Sequence, residues 1–196
     1  KITLITGNEN KAKEFERLLG FAIEHQKVDL PEIQATDVRD VSVAKIKIAY
    51  EALGTAVFVD DTGLIIDAWG ELPGALIRWF LDNVGNEGIL KMLGDSDKRG
   101  ARVITSIGYK DASREFIVTG EVEGSIASEL KGENGFGYDA IFIPEGYTKT
   151  FAEMTNSEKD AVSMRALAAK RAGVQVGARQ RPRLREGEPV RRLVPA

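Results

Sequence analysis

Apolar and polar positions follow two rhythms along this chain, and the rhythm changes near its middle. Ile2-Thr3-Leu4-Ile5 is a short apolar run that predicts a strand. Ala12, Phe15, Leu18 and Leu19 then recur on one helical face, predicting a helix over 11–19 with Gly20 as its stop. Residues 28–34 read as a short strand or extended segment, because Pro31 opposes helix. A second helix is expected over about 38–53, closed by Gly54. Ala56-Val57-Phe58-Val59 is wholly apolar, as in strands buried on both faces, and is expected to end at Asp60-Asp61-Thr62-Gly63. Residues 64–66 continue extended, 70–74 turn, and 75–83 and 88–93 read as short helices.

From residue 101 the period becomes two. Residues 101–109 and 114–126 read as long strands joined by a turn at 110–113. In the second, Phe116, Val118, Val122 and Ile126 alternate with Glu115, Thr119, Glu121 and Glu123, which predicts an antiparallel hairpin with one wet face. A glycine-rich loop at 132–137 precedes a strand at 141–143. Thr155-Asn156-Ser157-Glu158 is a capping box that opens a helix through about Arg171. The fold class is α/β: a mixed, strongly twisted central sheet with flanking helices, in two lobes with a cleft between them.

Composition narrows the chemistry. The 196 residues, 43% hydrophobic and 29% charged, suit one sizeable core, expected over 1–178 as a single domain. No apolar run reaches the length of a membrane span and no leader pattern is present, so the expectation is a cytoplasmic protein without membrane partners. With no cysteine and only His25, thiolate chemistry is excluded and a bound metal would need oxygen ligands, favouring Mg²⁺ or Mn²⁺. The net charge of −3 is uneven: residues 179–196 carry six arginines against Glu186 and Glu188, hence +4, leaving −7 for the rest. The acidic body argues against nucleic-acid binding. The Arg/Pro-rich tail has no apolar period and no aromatic residues for base stacking, so it reads as a poorly ordered, solvated extension rather than an RNA or lipid contact.

Three features carry chemistry. The Thr6-Gly7-Asn8-Glu9-Asn10-Lys11 turn joins a strand to a helix, so glycine-freed amides, the helix N-terminus and Lys11 can converge on an anion; the bland reading is an ordinary turn with Asn8 or Asn10 as N-cap. Lys45 falls inside the apolar stripe of Val41, Ala44, Ile48, Ala49 and Ala52, where it either snorkels past the core edge or reaches an anionic ligand. Asp60 and Asp61 close an apolar strand and point opposite ways, so one can face a metal while the other braces the turn; Glu32 can supply a further carboxylate. Two lysines and an acidic cluster suit phosphoryl chemistry with Mg²⁺, although Asp-Asp is also a common turn element.

Thr6-Gly7-Asn8-x-x-Lys11, Pro31-Glu32-Ile33-Gln34, Asp60-Asp61-Thr62-Gly63-Leu64, Leu72-Pro73-Gly74, Gly135-Phe136-Gly137-Tyr138-Asp139, Thr150-Phe151-Ala152-Glu153-Met154 and Glu158-Lys159-x-Ala161-Val162-Ser163-x-Arg165 together resemble the inosine/xanthosine triphosphate pyrophosphatases, the Ham1-like family. The likeness runs in order over roughly residues 1–170, and Gly85-Asn86-Glu87-Gly88-Ile89-Leu90 is most similar to archaeal members. The resemblance implies a usually homodimeric Mg²⁺-dependent hydrolase that cleaves ITP, dITP and XTP to monophosphate and pyrophosphate. It implies that residues 6–11, with Thr6, Gly7, Asn8, Glu9, Asn10 and Lys11, hold the triphosphate, with Lys45 and Lys159 as further contacts. Glu32 and Asp61 would hold the metal with support from Asp60, and Asp61 would also be the general base, with Thr62 beside it. Phe136 would stack on the purine within the loop of Gly137, Tyr138 and Asp139, the other reading being a core aromatic; glycines on both sides argue for an exposed ring. Ser163, Met164 and Arg165 would lie at the base end.

Two departures stand out. Ala140 replaces the family's proline, and Met164 replaces a histidine expected to donate toward the 6-oxo group of the base, which a thioether cannot do, leaving Arg165 to compensate. The alternatives are therefore a pyrophosphatase for other modified nucleotides, or a module that senses triphosphate without turnover.

Overall fold

The computed structural model describes residues 2–19 and 23–177. Gly20 and the Arg/Pro-rich stretch 179–196, for which a helix stop and a solvated tail are expected, lie outside them. The elements are β1 (Ile2–Ile5), α1 (Glu9–Leu19), β2 (Glu24–Gln26), α2 (Val38–Leu53), β3 (Ala56–Ile66), β4 (Pro73–Gly74), α3 (Ile77–Asn83), α4 (Gly85–Leu93), β5 (Gly100–Lys110), β6 (Glu115–Ile126), β7 (Phe142–Pro144), α5 (Asn156–Val162) and α6 (Met164–Gly177). Among the described residues the seven strands form one open mixed sheet in the order β2-β1-β3-β5-β6-β7, with β4 added beside β3, and the six helices flank it. β2, β1 and β3 are parallel; β3, β5, β6 and β7 are antiparallel in succession.

Several expectations are corrected. β3 does not stop at Asp60; it runs on through Asp60-Asp61-Thr62-Gly63 to Ile66, because β5 pairs with it without interruption from Val57↔Lys110 to Ile66↔Ala101. Residues 28–34 form no strand, and the strand of that region is Glu24–Gln26 instead, wholly exposed and held by its backbone pairing to β1. The helix after the capping box breaks at Ser163, whose extended backbone separates α5 from α6, and α6 runs past Arg171 to Gly177. The box itself is present: Thr155 Oγ1 accepts from the Glu158 amide and Glu158 Oε2 accepts from the Thr155 amide.

The long strands serve two apolar cores. At one end Leu64, Ile66, Ala101, Val103 and Ile126 pack with α3, α4 and Phe142 and Phe151. At the other, Phe58, Ile107 and Tyr109 pack with Leu4, Phe15 and Ala168 under α1 and α6, while Val57, Val59 and Ile5 meet Ile46 and Ala49 of α2 on the opposite face. α6 lies close on β6 at Gly120, where any Cβ would strike the Met164 carbonyl and the Ala168 amide. Between the cores each strand turns polar. Asp61 stands opposite Ser106, which stands opposite Thr119; Thr62 stands opposite Thr105. This polar waist is where the cleft opens.

Candidate active site

The site begins at strand ends. β1 stops at Ile5, abreast of Val59, so beyond that point β3 loses its neighbour on that edge until β4 arrives at Leu64. Asp60, Asp61 and Thr62 fall in the gap and line a cleft of about 1200 Å³. The carboxyl ends of parallel strands are where open α/β sheets bind ligands, and here β2 and β1 end side by side, abreast of Val59 in the continuing β3. The chain leaving β1 is tied down at once: the Thr6 amide donates to the Gln26 carbonyl at 3.1 Å. Thr6 Oγ1 accepts from the Asn8 amide, and Asn8 Oδ1 accepts from the amides of Asn10 and Lys11 at 3.0 and 3.2 Å. Asn8 is thus the N-cap of α1.

Alternation along β3 sends Asp60 to the α1/α6 face and Asp61 to the α2 face. Asp60 is buried and heads an alternating chain of charges. Lys11 Nζ lies 2.9 Å from its Oδ1; Arg165 Nε donates to Oδ2 at 3.0 Å and Nη2 to Oδ1 at 3.3 Å. Arg165 Nη2 also donates to Thr62 Oγ1, and Nη1 donates to Glu14 of α1. Glu14 in turn meets Lys159 Nζ at 3.2 Å, and Lys159 meets Asp139 at 2.7 Å. Burial alone would raise the Asp60 pKa, but Arg165 and Lys11 outweigh it and hold the carboxyl well below the usual range. The same anions raise the already high pKa of Arg165 against its own desolvation.

Asp61 has the opposite surroundings. Its Oδ2 is buried without a hydrogen bond among the described residues, 3.7 Å from Lys45 Nζ, and Lys45 also donates to Glu32. Burial raises the Asp61 pKa more than Lys11 and Lys45 lower it, with Glu32 and Asp60 adding to the rise. Lys45 loses by desolvation but is held charged, its pKa raised, by Asp61 and Glu32; Glu32 is lowered because Lys45 outweighs its own desolvation. One ammonium therefore sits between two carboxylates, one of which has an orphaned oxygen. Such a pair suits a hard cation that takes one or two protein carboxylates and completes its shell with phosphate and water. No group of three or more His, Cys, Asp or Glu side chains among the described residues is arranged as a metal cage, and Asp60 faces away from the pair with both oxygens engaged.

The loop carrying Phe136 forms the other wall. Gly135, at φ +74°, leaves no room for a Cβ because Asp139 tucks beneath it to accept from the Phe136 amide and from Lys159 Nζ. Burial raises the Asp139 pKa against Lys159 and that amide. The Phe136 ring is half-buried rather than exposed, with Lys159 Nζ 5.0 Å and the Arg165 guanidinium carbon 5.7 Å from its centroid. Asn86 of α4 holds the loop through the Gly137 carbonyl.

Of the residues expected from sequence, Thr6, Gly7, Asn8, Glu9, Lys11, Glu32, Lys45, Asp60, Asp61, Thr62, Phe136, Gly137, Tyr138, Asp139, Lys159, Met164 and Arg165 all line this one cleft. Asn10 does not; it is exposed on α1. Ser163 is buried as a cap, accepting from the Ala166 amide. Met164 packs among the apolar core, and Arg165 is 1% exposed, with donors on Asp60, Thr62 and Glu14 and its guanidinium beside the Phe136 ring. Sequence reasoning missed Glu14, although its place one turn after Lys11 on the inner side of α1 was a signal. It also missed Lys27, Arg78, Trp79 and Asn86 on the cleft walls.

Comparison with known proteins fits this geometry. The model of the Ham1 family matches residues 2–173. A dITP/XTP pyrophosphatase of Methanopyrus kandleri is 41% identical over 175 residues, 87% of this chain and 93% of its own length. The inosine triphosphate pyrophosphatase of Kluyveromyces lactis is 36% identical over 86% of this chain and 91% of its own. The solved Ham1 protein of Staphylococcus aureus superposes with a TM-score of 0.79 at 26% identity, covering 91% of this chain and 98% of that one.

Proposed function

The chain belongs to the Ham1 family, and on that footing we propose that it hydrolyses ITP, dITP and XTP to the nucleoside monophosphate and pyrophosphate, with Mg²⁺ as cofactor. It is a nucleoside triphosphate pyrophosphatase. The observation that carries the reaction is the Lys45 ammonium held between Glu32 and the orphaned oxygen of Asp61, on the floor of the cleft that the loop at residues 6–11 also lines.

Lys11, Lys45 and the N-terminus of α1 neutralise the polyphosphate. The reaction forms a bond from a water oxygen to the α-phosphorus and breaks the bond from that phosphorus to the bridging oxygen, so pyrophosphate leaves. Asp61 accepts the water proton, a task that its raised pKa favours. Mg²⁺, held by Glu32 and Asp61, would supply positive charge to the phosphate oxygens and acidify bound water. Phe136 stacks on the purine, and the backbone of residues 136–139 reads its edge, because Met164 donates nothing and Arg165 is engaged elsewhere. We also propose a cytoplasmic homodimer that binds neither nucleic acid nor membrane; no helix among the described residues is long and apolar enough to cross a bilayer. The test is product analysis with Mg²⁺ over ITP, XTP, ATP and pyrimidine triphosphates: pyrophosphate from ITP and XTP is expected, and stepwise orthophosphate release would sink the mechanism.

A further inference from the structure

The register of β2 and β1 with β3 extends one residue past the ends of the first two. Ile5 is abreast of both Gln26 and Val59, so the next row across the sheet is Lys27, Thr6 and Asp60. This row crosses the mouth of the loop at residues 6–11, with Asp60 at one end and Lys27 at the other, two strand spacings or roughly 9–10 Å apart across the sheet, and Asp61 is the next residue along β3. Lys27 is exposed, but its stem is seated. Its stem lies on Gly7: a Cβ there would meet Lys27 Cγ at 3.2 Å and Cδ at 3.3 Å, so the absence of a side chain at Gly7 makes room for it. The residue lines the cleft, and the hydrogen bond from the Thr6 amide to the Gln26 carbonyl fixes its backbone against the loop. Lys11 and Lys45, which also face the polyphosphate, each have a carboxylate neighbour, Lys11 in Asp60 and Lys45 in Glu32 and Asp61. Among the described residues Lys27 has no ion-pair partner.

We propose that Lys27 is a substrate-binding residue for the terminal phosphate of the triphosphate, the group farthest from the bond that breaks. The assignment rests on the functional reading above, which places the α-phosphorus at Asp61. With the reacting end at β3 and the loop at β1, the polyphosphate runs outward along the row toward β2, and Lys27 is the cation waiting there. It meets the γ-phosphate and leaves a diphosphate untouched, so it contributes to recognising a triphosphate as such.

Direct binding tests this without turnover. The α,β-methylene analogues of ITP and IDP, in which the bond that breaks is replaced by carbon, are titrated into the full chain by calorimetry for the parent, Lys27→Gln and Lys27→Arg. Lys27→Gln keeps most of the stem, so the melting temperature is expected to stay put. Affinity for the triphosphate analogue should fall about fivefold to tenfold, as for one partly exposed charge-assisted contact, while affinity for the diphosphate analogue holds within twofold. Lys27→Arg should restore the triphosphate affinity. In steady-state kinetics the same loss appears in KM for ITP with kcat retained. Equal losses for both anions, or none, overturn the assignment to the terminal phosphate. A parent that binds triphosphate through Lys27 yet releases no pyrophosphate from ITP overturns the functional reading instead.

Discussion

Asp60 and Asp61 are neighbours in sequence and strangers in surroundings. On the α1/α6 side, Lys11, Asp60, Arg165, Glu14, Lys159 and Asp139 alternate in sign, three of each, and every charge has a partner within hydrogen-bond reach. On the α2 side, Asp61 shares one lysine with Glu32 and keeps an oxygen without a hydrogen bond. The first arrangement is complete and resists change. The second is short of positive charge, which is the state a site must be in to take a cation and activate water. A fold can thus place a fully paired carboxylate and one with an open oxygen on adjacent residues, simply because a strand shows alternate residues to opposite faces.

Removing the charge of Asp60 should produce the largest effect. Asp60→Asn leaves Arg165 buried with one anion fewer, so unfolding free energy should fall by about 3–5 kcal/mol, measured by urea titration. A loss no larger than that of a surface substitution would mean that the charge chain carries little of the fold.

Asp61→Asn should do the reverse. Turnover of ITP should drop by at least about 10²-fold, about 2.7 kcal/mol of barrier, with the melting temperature unchanged or raised. Should Asp61→Asn unfold the chain and Asp60→Asn leave it stable but inactive, the division between the two faces is wrong.

The smallest effect is in the acid limb of stability, measured without divalent ions. Asp60 has a depressed folded pKa, so its contribution is whole above the unfolded value, about 3.9, and is lost only as pH falls through the lower folded value. Asp61 has a raised folded pKa, so its carboxylate destabilises near neutrality and the parent gains stability relative to Asp61→Asn as pH falls through that value. Parallel stability curves for parent and Asp61→Asn between pH 7 and 4 would contradict the shift.

Much of this was legible in the sequence because it is local. The helix of Val38–Leu53 with its Gly54 cap, the antiparallel hairpin of β5 and β6, and the capping box at Thr155 each depend on residues a few positions apart. Even the opposed directions of Asp60 and Asp61 follow from period two. What the pattern could not show is set by partners distant along the chain. β3 continues through two carboxylates because β5, some forty residues later, pairs with it, whereas propensity reads Asp-Asp-Thr-Gly as an end. The partners of Arg165 are equally out of reach of the pattern, since Glu14, which takes one side of its guanidinium, is 151 positions away. The break at Ser163 likewise serves α6, which must lie against Gly120 of β6.

The unbroken ladders of β3, β5 and β6 through the polar waist carry a mechanical consequence. A protein whose lobes are joined by loops can swing them about a hinge; here ten successive β3–β5 pairs cross the junction, and flexing it would shear many backbone hydrogen bonds together. The sheet behaves as a girder. Any movement that admits a ligand is therefore expected in the parts mounted on its edge, namely the segment after β2, the helices α3 and α4, and the loop of Phe136, rather than across the waist.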